Sequence, residues 1–421
     1  ARFGDYASPQ YGTIKSSENY ERRFIMTFPN ETLPKGRKQK TTALYDRFVN
    51  QGAVMGDSFG LENVLWFANN KEDAHEEPTI KRSRSHDYVS KEVINVRENV
   101  GLIEVANFSK HEFKGPDARK FLDHIMAGRL PKPGRISLSP MLSYRGKLCG
   151  DLTVACLDEN EFMVFGSGAA QEMHRRWFES HIDKFNLSYS NRSDEYHGLS
   201  IAGPNSRKVL EKIVRDDVSN EKFKFRDSRR MFVGGVPAII NRISFTGELG
   251  YEIYVAPHYQ LKLYEELMEA GKEFNIKPFG GRALMSMRLE KNWGAWTLDY
   301  RPDFTAKETG LDAFINWDKE FIGKESAQKE NSSNKLVPLI VETNEIDVTN
   351  NEAVLNGDQS IGYVTSGGFA HFVNKSVAFT FVDQKNINAE NKIQVEINGD
   401  LFNCSIIKEP LYDPSGQKMR S

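Results

Sequence analysis

Cysteine is scarce in this 421-residue sequence, and the three present, Cys149, Cys156 and Cys404, include no Cys-x-x-Cys pair. That excludes a disulfide framework and a thiolate zinc site, and it predicts a reducing compartment. No stretch approaches the roughly 18–20 apolar residues of a membrane span, and no apolar h-region opens the chain, so a soluble protein with no membrane partner is expected. An excess of either charge is also missing. The 56 Lys+Arg nearly cancel 58 Asp+Glu, leaving a net charge of -2, which argues against a nucleic-acid partner. There is no initiating Met, and Arg2-Phe3-Gly4-Asp5-Tyr6 has the look of interior sequence, so a portion of something longer is expected. P-loop, Gly-x-Ser-x-Gly and His-Glu-x-x-His signatures are absent. The nine histidines are dispersed, none at metal-ligand spacing, and are expected to be surface or core residues with no metal site. At 48.0 kDa the chain has room for two or three domains.

Residues 1 to about 70 look irregular, with Pro9, Pro29 and Pro34, a basic stretch Lys35–Lys40 expected to be a solvated loop, and one helix expected over Thr42–Gln51. Between about 85 and 320 the sequence repeats itself. Gly115-Pro116-Asp117-Ala118-Arg119-Lys120-Phe121-Leu122 recurs as Gly203-Pro204-Asn205-Ser206-Arg207-Lys208-Val209-Leu210. Each copy follows a short alternating strand (His111–Lys114, Leu199–Ala202), places Pro near the first helical position, and opens a helix with one apolar face: Phe121, Leu122, Ile125 and Met126 against Val209, Leu210, Ile213 and Val214. Strands are expected next, over Met141–Tyr144, Leu148–Leu157 and Glu161–Phe165 in the first unit, and over Val236–Phe245 and Tyr251–Val255 in the second. Two α+β units facing each other would leave a cleft for a ligand. Ser326–Lys335 has the composition of a linker. Beyond it, Leu336–Val341, Ile361–Thr365, Ser376–Val382, Ile393–Ile397 and Leu401–Ile407 alternate with Asn356-Gly357 and Asn398-Gly399 turns, which predicts a small antiparallel barrel or sandwich.

Gly166-Ser167-Gly168 between a strand and a helix imitates a dinucleotide loop, but Gln171 replaces the third Gly, so a tight turn whose helix start could face a ligand is expected instead. Two carboxylates have unusual contexts. Asp151 stands in Gly150-Asp151-Leu152-Thr153-Val154, an acid at the mouth of an apolar strand, which either caps a turn or serves a ligand. Glu252 follows the turns of Thr246-Gly247-Glu248-Leu249-Gly250 on a strand that carries Glu252 and Tyr254 on one face. A carboxylate beside an aromatic suits a flat heterocycle with adjacent N–H donors.

The sequence also resembles a known family: the carboxy-terminal, folate-binding half of dimethylglycine dehydrogenase and sarcosine dehydrogenase, a half homologous to the glycine cleavage T-protein (aminomethyltransferase). The matching segments run collinearly through the chain. They include Thr41–Arg47, Gly52–Gly56 with Trp66-Phe67, Arg97–Ile103, Gly150–Val154, Thr246–Glu252, Arg288–Lys291, Glu308–Leu311, Phe321–Lys324 and Thr365–Gly368. The resemblance implies an α+β fold of two pseudo-repeated units with a C-terminal antiparallel β-barrel. It implies a connector over 1–70 that follows a missing FAD domain, a folate-binding domain over 71–325 and the barrel over 326–421. Family members oxidise an N-methyl amine at FAD in the amino-terminal domain, and tetrahydrofolate in this half captures the iminium one-carbon unit as 5,10-methylenetetrahydrofolate. FAD would therefore belong only to the absent domain or to a separate subunit. Location would be the mitochondrial matrix if eukaryotic and the cytoplasm if bacterial.

By position Asp151 matches the catalytic aspartate, with Cys149 and Gly150 preceding it at the site, and Glu252 matches the carboxylate on the pterin edge, with Ile253 and Tyr254 beside it. Phe245 stands where relatives place Tyr, removing a hydrogen bond typically worth about 0.5–1.5 kcal/mol. Ala313 stands where relatives can carry an aromatic, and Arg288 resembles an arginine near the site. Two other readings stay open: a non-catalytic relative like the regulatory subunit of pyruvate dehydrogenase phosphatase, and a stand-alone T-protein-type methyl- or aminomethyltransferase.

Overall fold

The computed structural model describes residues 8–387 and 392–421, so the opening motif Arg2–Tyr6 lies outside the described residues. The expectation of an irregular start is corrected. Helix α1 (Pro9–Glu21) forms because Ser8 Oγ accepts from Tyr11 N and Pro9 begins the first turn, where its missing N–H costs nothing. Only Tyr11 and Glu18 of this helix are buried, so no apolar stripe announces it. Helix α2 (Tyr45–Asn50) falls within the stretch expected to be helical, and strands β1 (Ala53–Ser58) and β2 (Leu61–Phe67) pair as a hairpin. The basic stretch is not wholly solvated: Arg37 forks onto Glu62, a buried carboxylate.

The first repeat contributes helix α3 (Ser85–Glu98), β3 (Val100–Glu104), β4 (Phe108–Lys114), α4 (Ala118–Ile125), β5 (Arg135–Leu142), β6 (Leu148–Asp158), β7 (Glu161–Ser167), α5 (Gln171–Glu179) and β8 (Ser188–Asn191). The second contributes β9 (His197–Ala202), α6 (Ser206–Glu211), β10 (Ser228–Val233), β11 (Val236–Asn241), β12 (Gly250–Val255), α7 (Gln260–Ala270), β13 (Ile276–Pro278) and α8 (Gly281–Glu290). Gly115 and Gly203 adopt φ of 136° and 132° against close neighbours, so both repeats need Gly there. Pro116 and Pro204 stand in that turn and not at the first helical position, since Asp117 and Asn205 are the N-caps. Ile213 and Val214 lie beyond the end of α6, and the strand expected over Val236–Phe245 ends at Asn241.

Two sheets result, one of order β10-β11-β12-β9-β3-β13 and one of order β5-β6-β7-β4-β8. Helices α6 and α7 cover one face of the first sheet, and α4 and α5 cover one face of the second. The remaining faces share a layer that includes Ile136, Ala155, Met163 and Phe165 from the second sheet, Ile239 and Tyr254 from the first, and residues of α3 and α8. The expected linker is partly helical, over Lys324–Gln328. The last region resolves the choice between barrel and sandwich: β14 (Asn334–Val341), β15 (Ala353–Asn356), β16 (Gln359–Ala370), β17 (Lys375–Asp383), β18 (Ile393–Ile397) and β19 (Asp400–Ile406) close into an antiparallel barrel. It docks on α8 through Leu289 against Ala370, Val377 and Phe379.

Candidate functional site

Strand parity brings Asp151 and Glu252 into one layer. Along β6, Leu152, Val154 and Cys156 pack under α4 and α5, so Asp151, Thr153 and Ala155 face the layer shared by the two sheets. Along β12, Tyr251, Ile253 and Val255 enter the core beneath α6 and α7, which turns Glu252 and Tyr254 toward that same layer. There the Tyr254 ring stacks on Phe165 at 4.7 Å and 29°.

Both carboxyls are shifted by burial. Asp151 is half-buried, accepts only from its own backbone N–H, and is pushed up to about 7 because few groups replace its lost water. Its charge is felt by the Tyr300 phenol, whose oxygen accepts from Gly294 N at 3.2 Å. Glu252, 8% exposed, is likewise raised to about 7 by burial, opposed by the Tyr254 hydroxyl, which donates to Oε2 at 2.8 Å, and by the Lys110 ammonium.

Two neighbours give little signal in the sequence. Lys110 is wholly buried on β4, directly opposite Phe165, and its Nζ donates to Ala106 O at 2.7 Å and Ser193 O at 3.4 Å. Burial pulls it down to about 7 against the carboxylates of Asp194, Glu104 and Glu252. A lysine at an inward position between Phe108 and Phe113 is the one local hint of it. Asn241 is wholly buried and sits directly opposite Glu252 on β11; its Oδ1 accepts from Ser228 Oγ at 2.7 Å and its Nδ2 has no partner.

The other candidate residues divide. Cys149 lends the site its backbone: its carbonyl accepts from His174 Nε2 at 2.9 Å, while burial raises its thiol to about 11. A Cβ on Gly150 would stand 2.9 Å from that same Nε2, so Gly is what admits the imidazole. Ile253 does not join the carboxylates, because adjacent residues of a strand alternate faces and its side chain points into the opposite core. Phe245 stacks on Trp293 at 5.8 Å and 24°. Ala313 is exposed on a short turn of helix over Leu311–Phe314. Arg288 is buried and already engaged, donating to Asp299 Oδ2 at 2.7 Å, Trp293 O at 3.0 Å and Ser366 Oγ at 2.9 Å. Helix α5, which follows Gly166-Ser167-Gly168, packs on the face of the sheet opposite Asp151. The histidines dispersed in sequence are partly gathered by the fold, His111 with His174 at 6.1 Å and His86 with His371 at 4.6 Å. Among the described residues, no group of three His, Cys, Asp or Glu side chains is placed to hold a metal ion, and no helix is long and apolar enough to cross a membrane.

Known proteins resemble this chain in sequence and fold. The pattern of the GCVT N-terminal domain matches residues 44–319, and that of the glycine cleavage T-protein C-terminal barrel domain matches residues 334–413. The chain is 33% identical over 419 residues to mitochondrial dimethylglycine dehydrogenase of Mus musculus, an alignment covering 97% of this chain and 48% of that protein. The chain thus spans about half the length of this relative. It is 28% identical over 378 residues to an aminomethyltransferase of Thermotoga sp. (strain RQ2), covering 89% of this chain and 98% of the relative. The crystal structure of glycine cleavage system aminomethyltransferase T from Bartonella henselae matches with a TM-score of 0.77 at 22% identity, over 89% of this chain and 98% of that one, a likeness of fold.

Proposed function

We propose that this chain, which belongs to the glycine cleavage T-protein family, is a tetrahydrofolate-dependent one-carbon transfer module on the pattern of the carboxy-terminal half of dimethylglycine dehydrogenase. The observation that carries the reading is the pair of carboxylates, Asp151 and Glu252, directed into one layer between two sheets and flanked by the Tyr254–Phe165 stack.

The residues present fit such a group. The pyrimidine ring of a reduced pterin is flat and offers adjacent N–H donors along one edge; a carboxylate with lone pairs still open on both oxygens and an aromatic wall are what it requires. When bound, tetrahydrofolate supplies the nitrogens that take up an iminium-level one-carbon unit and leave as 5,10-methylenetetrahydrofolate. Glu252 grips the pterin edge and fixes its orientation, while Lys110 and the Tyr254 hydroxyl favour the charged form of Glu252. Asp151, whose carboxyl is balanced near neutrality, orients the reacting nitrogens and accepts a proton at its free oxygens. Cys149 and Gly150 hold the strand that presents Asp151 through the His174 hydrogen bond. Phe245 and Tyr254 line the pterin.

In this reading residues 1–70 connect the module to an FAD-containing domain or subunit that forms the iminium, residues 71–325 bind the folate, and residues 326–421 form the barrel domain. The protein works in the mitochondrial matrix or, in bacteria, in the cytoplasm. A stand-alone aminomethyltransferase is the second reading, favoured by the match over nearly the whole length of the Thermotoga relative; it differs in taking its one-carbon unit from a carrier and needing no flavin partner. Anaerobic calorimetric titration with tetrahydrofolate tests the folate site common to both. One-to-one binding weakened by Glu252→Gln is expected, and a folded protein that binds none would overturn it.

A further inference from the structure

We infer that Asn241 is a specificity-determining residue of the same site, whose free side-chain N–H reads the oxo group of a 4-oxo pterin and selects it over a 4-amino one. The inference rests on the folate reading of Glu252 and extends it to a residue outside the family resemblance.

Asn241 and Glu252 are direct partners across the β11–β12 pair, and the next pair on the same face, Ile239 and Tyr254, belongs to the shared layer. Side chains opposed in this way stand on one face with Cβ atoms roughly 4.5–5.5 Å apart. Ser228, the direct partner of Asn241 on β10, donates its hydroxyl hydrogen to Oδ1 at 2.7 Å. That bond sets the amide, leaving Nδ2 as the group over, and Nδ2 has no acceptor although Asn241 is fully buried. Buried donors without acceptors are rare and costly, so an acceptor from outside the chain is the natural complement.

The order of groups names that complement. Glu252 offers two acceptor oxygens, and Asn241 beside it offers a donor: acceptor, acceptor, donor along neighbouring strands. The edge of a 2-amino-4-oxo pterin carries the inverse order, with the 2-amino group and N3–H as donors and O4 as acceptor. In a 4-amino pterin the acceptor at position 4 becomes a donor and N3 loses its hydrogen, so both the Asn241 contact and half of the Glu252 contact are lost.

The test is anaerobic calorimetry on the full chain with two probes, tetrahydrofolate and 4-amino-4-deoxytetrahydrofolate. Wild type is expected to bind the oxo form more tightly. Asn241→Leu is expected to weaken tetrahydrofolate binding roughly three- to tenfold, the usual worth of one neutral hydrogen bond, while leaving the amino analogue as it was, so that the ratio of the two dissociation constants narrows. A merely structural role would weaken both probes alike, and that outcome, or an unchanged ratio, overturns the inference while the folate reading stands. Equal wild-type affinity for the two probes also overturns it. Wild type that binds neither overturns the folate reading and this inference with it. Should Asn241→Leu fail to fold, Ser228→Ala decides: it frees the amide to turn its oxygen inward and should narrow the ratio, and an unmoved ratio sinks the assignment.

Discussion

Tyr254 donates its hydroxyl hydrogen to Glu252 Oε2 across 2.8 Å, from two residues along the same strand and on the same face. The bond steers one oxygen of the carboxylate and leaves its remaining lone pairs for a ligand. Tyr254→Phe is expected to weaken tetrahydrofolate binding roughly three- to tenfold, and Glu252→Gln, which removes a charged acceptor, roughly ten- to a hundredfold. Calorimetry at pH 8 measures both; a larger loss from Tyr254→Phe than from Glu252→Gln would contradict this division of labour.

Asp151 carries a pH signature. Its carboxyl is raised from an ordinary 3.8 to about 7 in the folded chain, so between those values the native state holds a proton that the unfolded state has released. Stability attached to this group is therefore present at low pH and lost as pH rises through about 7. Asp151→Asn should stabilise the fold above pH 7, by roughly 1–3 kcal/mol given partial solvent screening, and leave it unchanged near pH 4. One-carbon transfer should fall as pH drops through about 7 in wild type, while Asp151→Asn should lower it by at least about a hundredfold above pH 7, the usual scale of general-base loss, with the gap narrowing as wild type is protonated. Denaturant curves and product assays across pH 5–9 read both effects.

Lys110 titrates in the opposite sense. Burial lowers its amine from 10.5 to about 7, so the unfolded chain binds the extra proton between those values and wild-type stability rises with pH across that window. Lys110→Met should flatten that rise. It also takes a cation from beside Glu252, so folate affinity should drop several-fold at pH 7 and recover by pH 9, where Glu252 ionises without help. Wild-type and variant curves that run parallel in both stability and affinity would remove Lys110 from this role.

Gly150→Ala should lower stability by about 1–3 kcal/mol, the common cost of overpacking, because the added methyl would meet His174 Nε2 at 2.9 Å. His174→Ala in the same chain should return part of that loss. Urea denaturation of the two single variants and the double variant measures the coupling, and strict additivity would argue against the contact.

Arg288→Met leaves Asp299 charged and buried without its partner, a change that typically costs about 3–5 kcal/mol. Thermal melts should show it plainly, with the loss distributed over the barrel as well as the sheets.

The parts of this protein written in local chemistry are legible in its amino-acid sequence. The Gly-Pro turns at 115 and 203 and the Asn-Gly turns of the barrel each depend on a few adjacent residues, and Asp151 is conspicuous as an acid in an apolar strand. Helix α1 is hidden because its buried residues are only Tyr11 and Glu18, so capping alone defines it. The four-residue strand β15 is too short to show alternation. Lys110 and Asn241 gain their meaning from strand partners far away in sequence or across a turn, Phe165 and Glu252, which no local pattern encodes. Adjacency groups Ile253 with Glu252, and strand parity separates them. Arg288 looks available for a ligand until the fold supplies Asp299 and Ser366 to engage it.

The grip on Asp299 reaches further than stability. Its Oδ1 accepts from Thr365 Oγ1 at 2.5 Å and Ser366 Oγ at 2.7 Å, both on barrel strand β16, and the next residue along the chain is Tyr300, whose phenol stands within the field of Asp151. That ring packs with Leu142 and Leu148 of the sheet that carries the carboxylate as well as with Tyr363 and Phe381 of the barrel. The loop of Asp299 and Tyr300 is therefore a seam with two sides, stitched to the barrel by hydroxyl hydrogen bonds and to the sheet by apolar contact, so the barrel is part of what fixes the surroundings of Asp151.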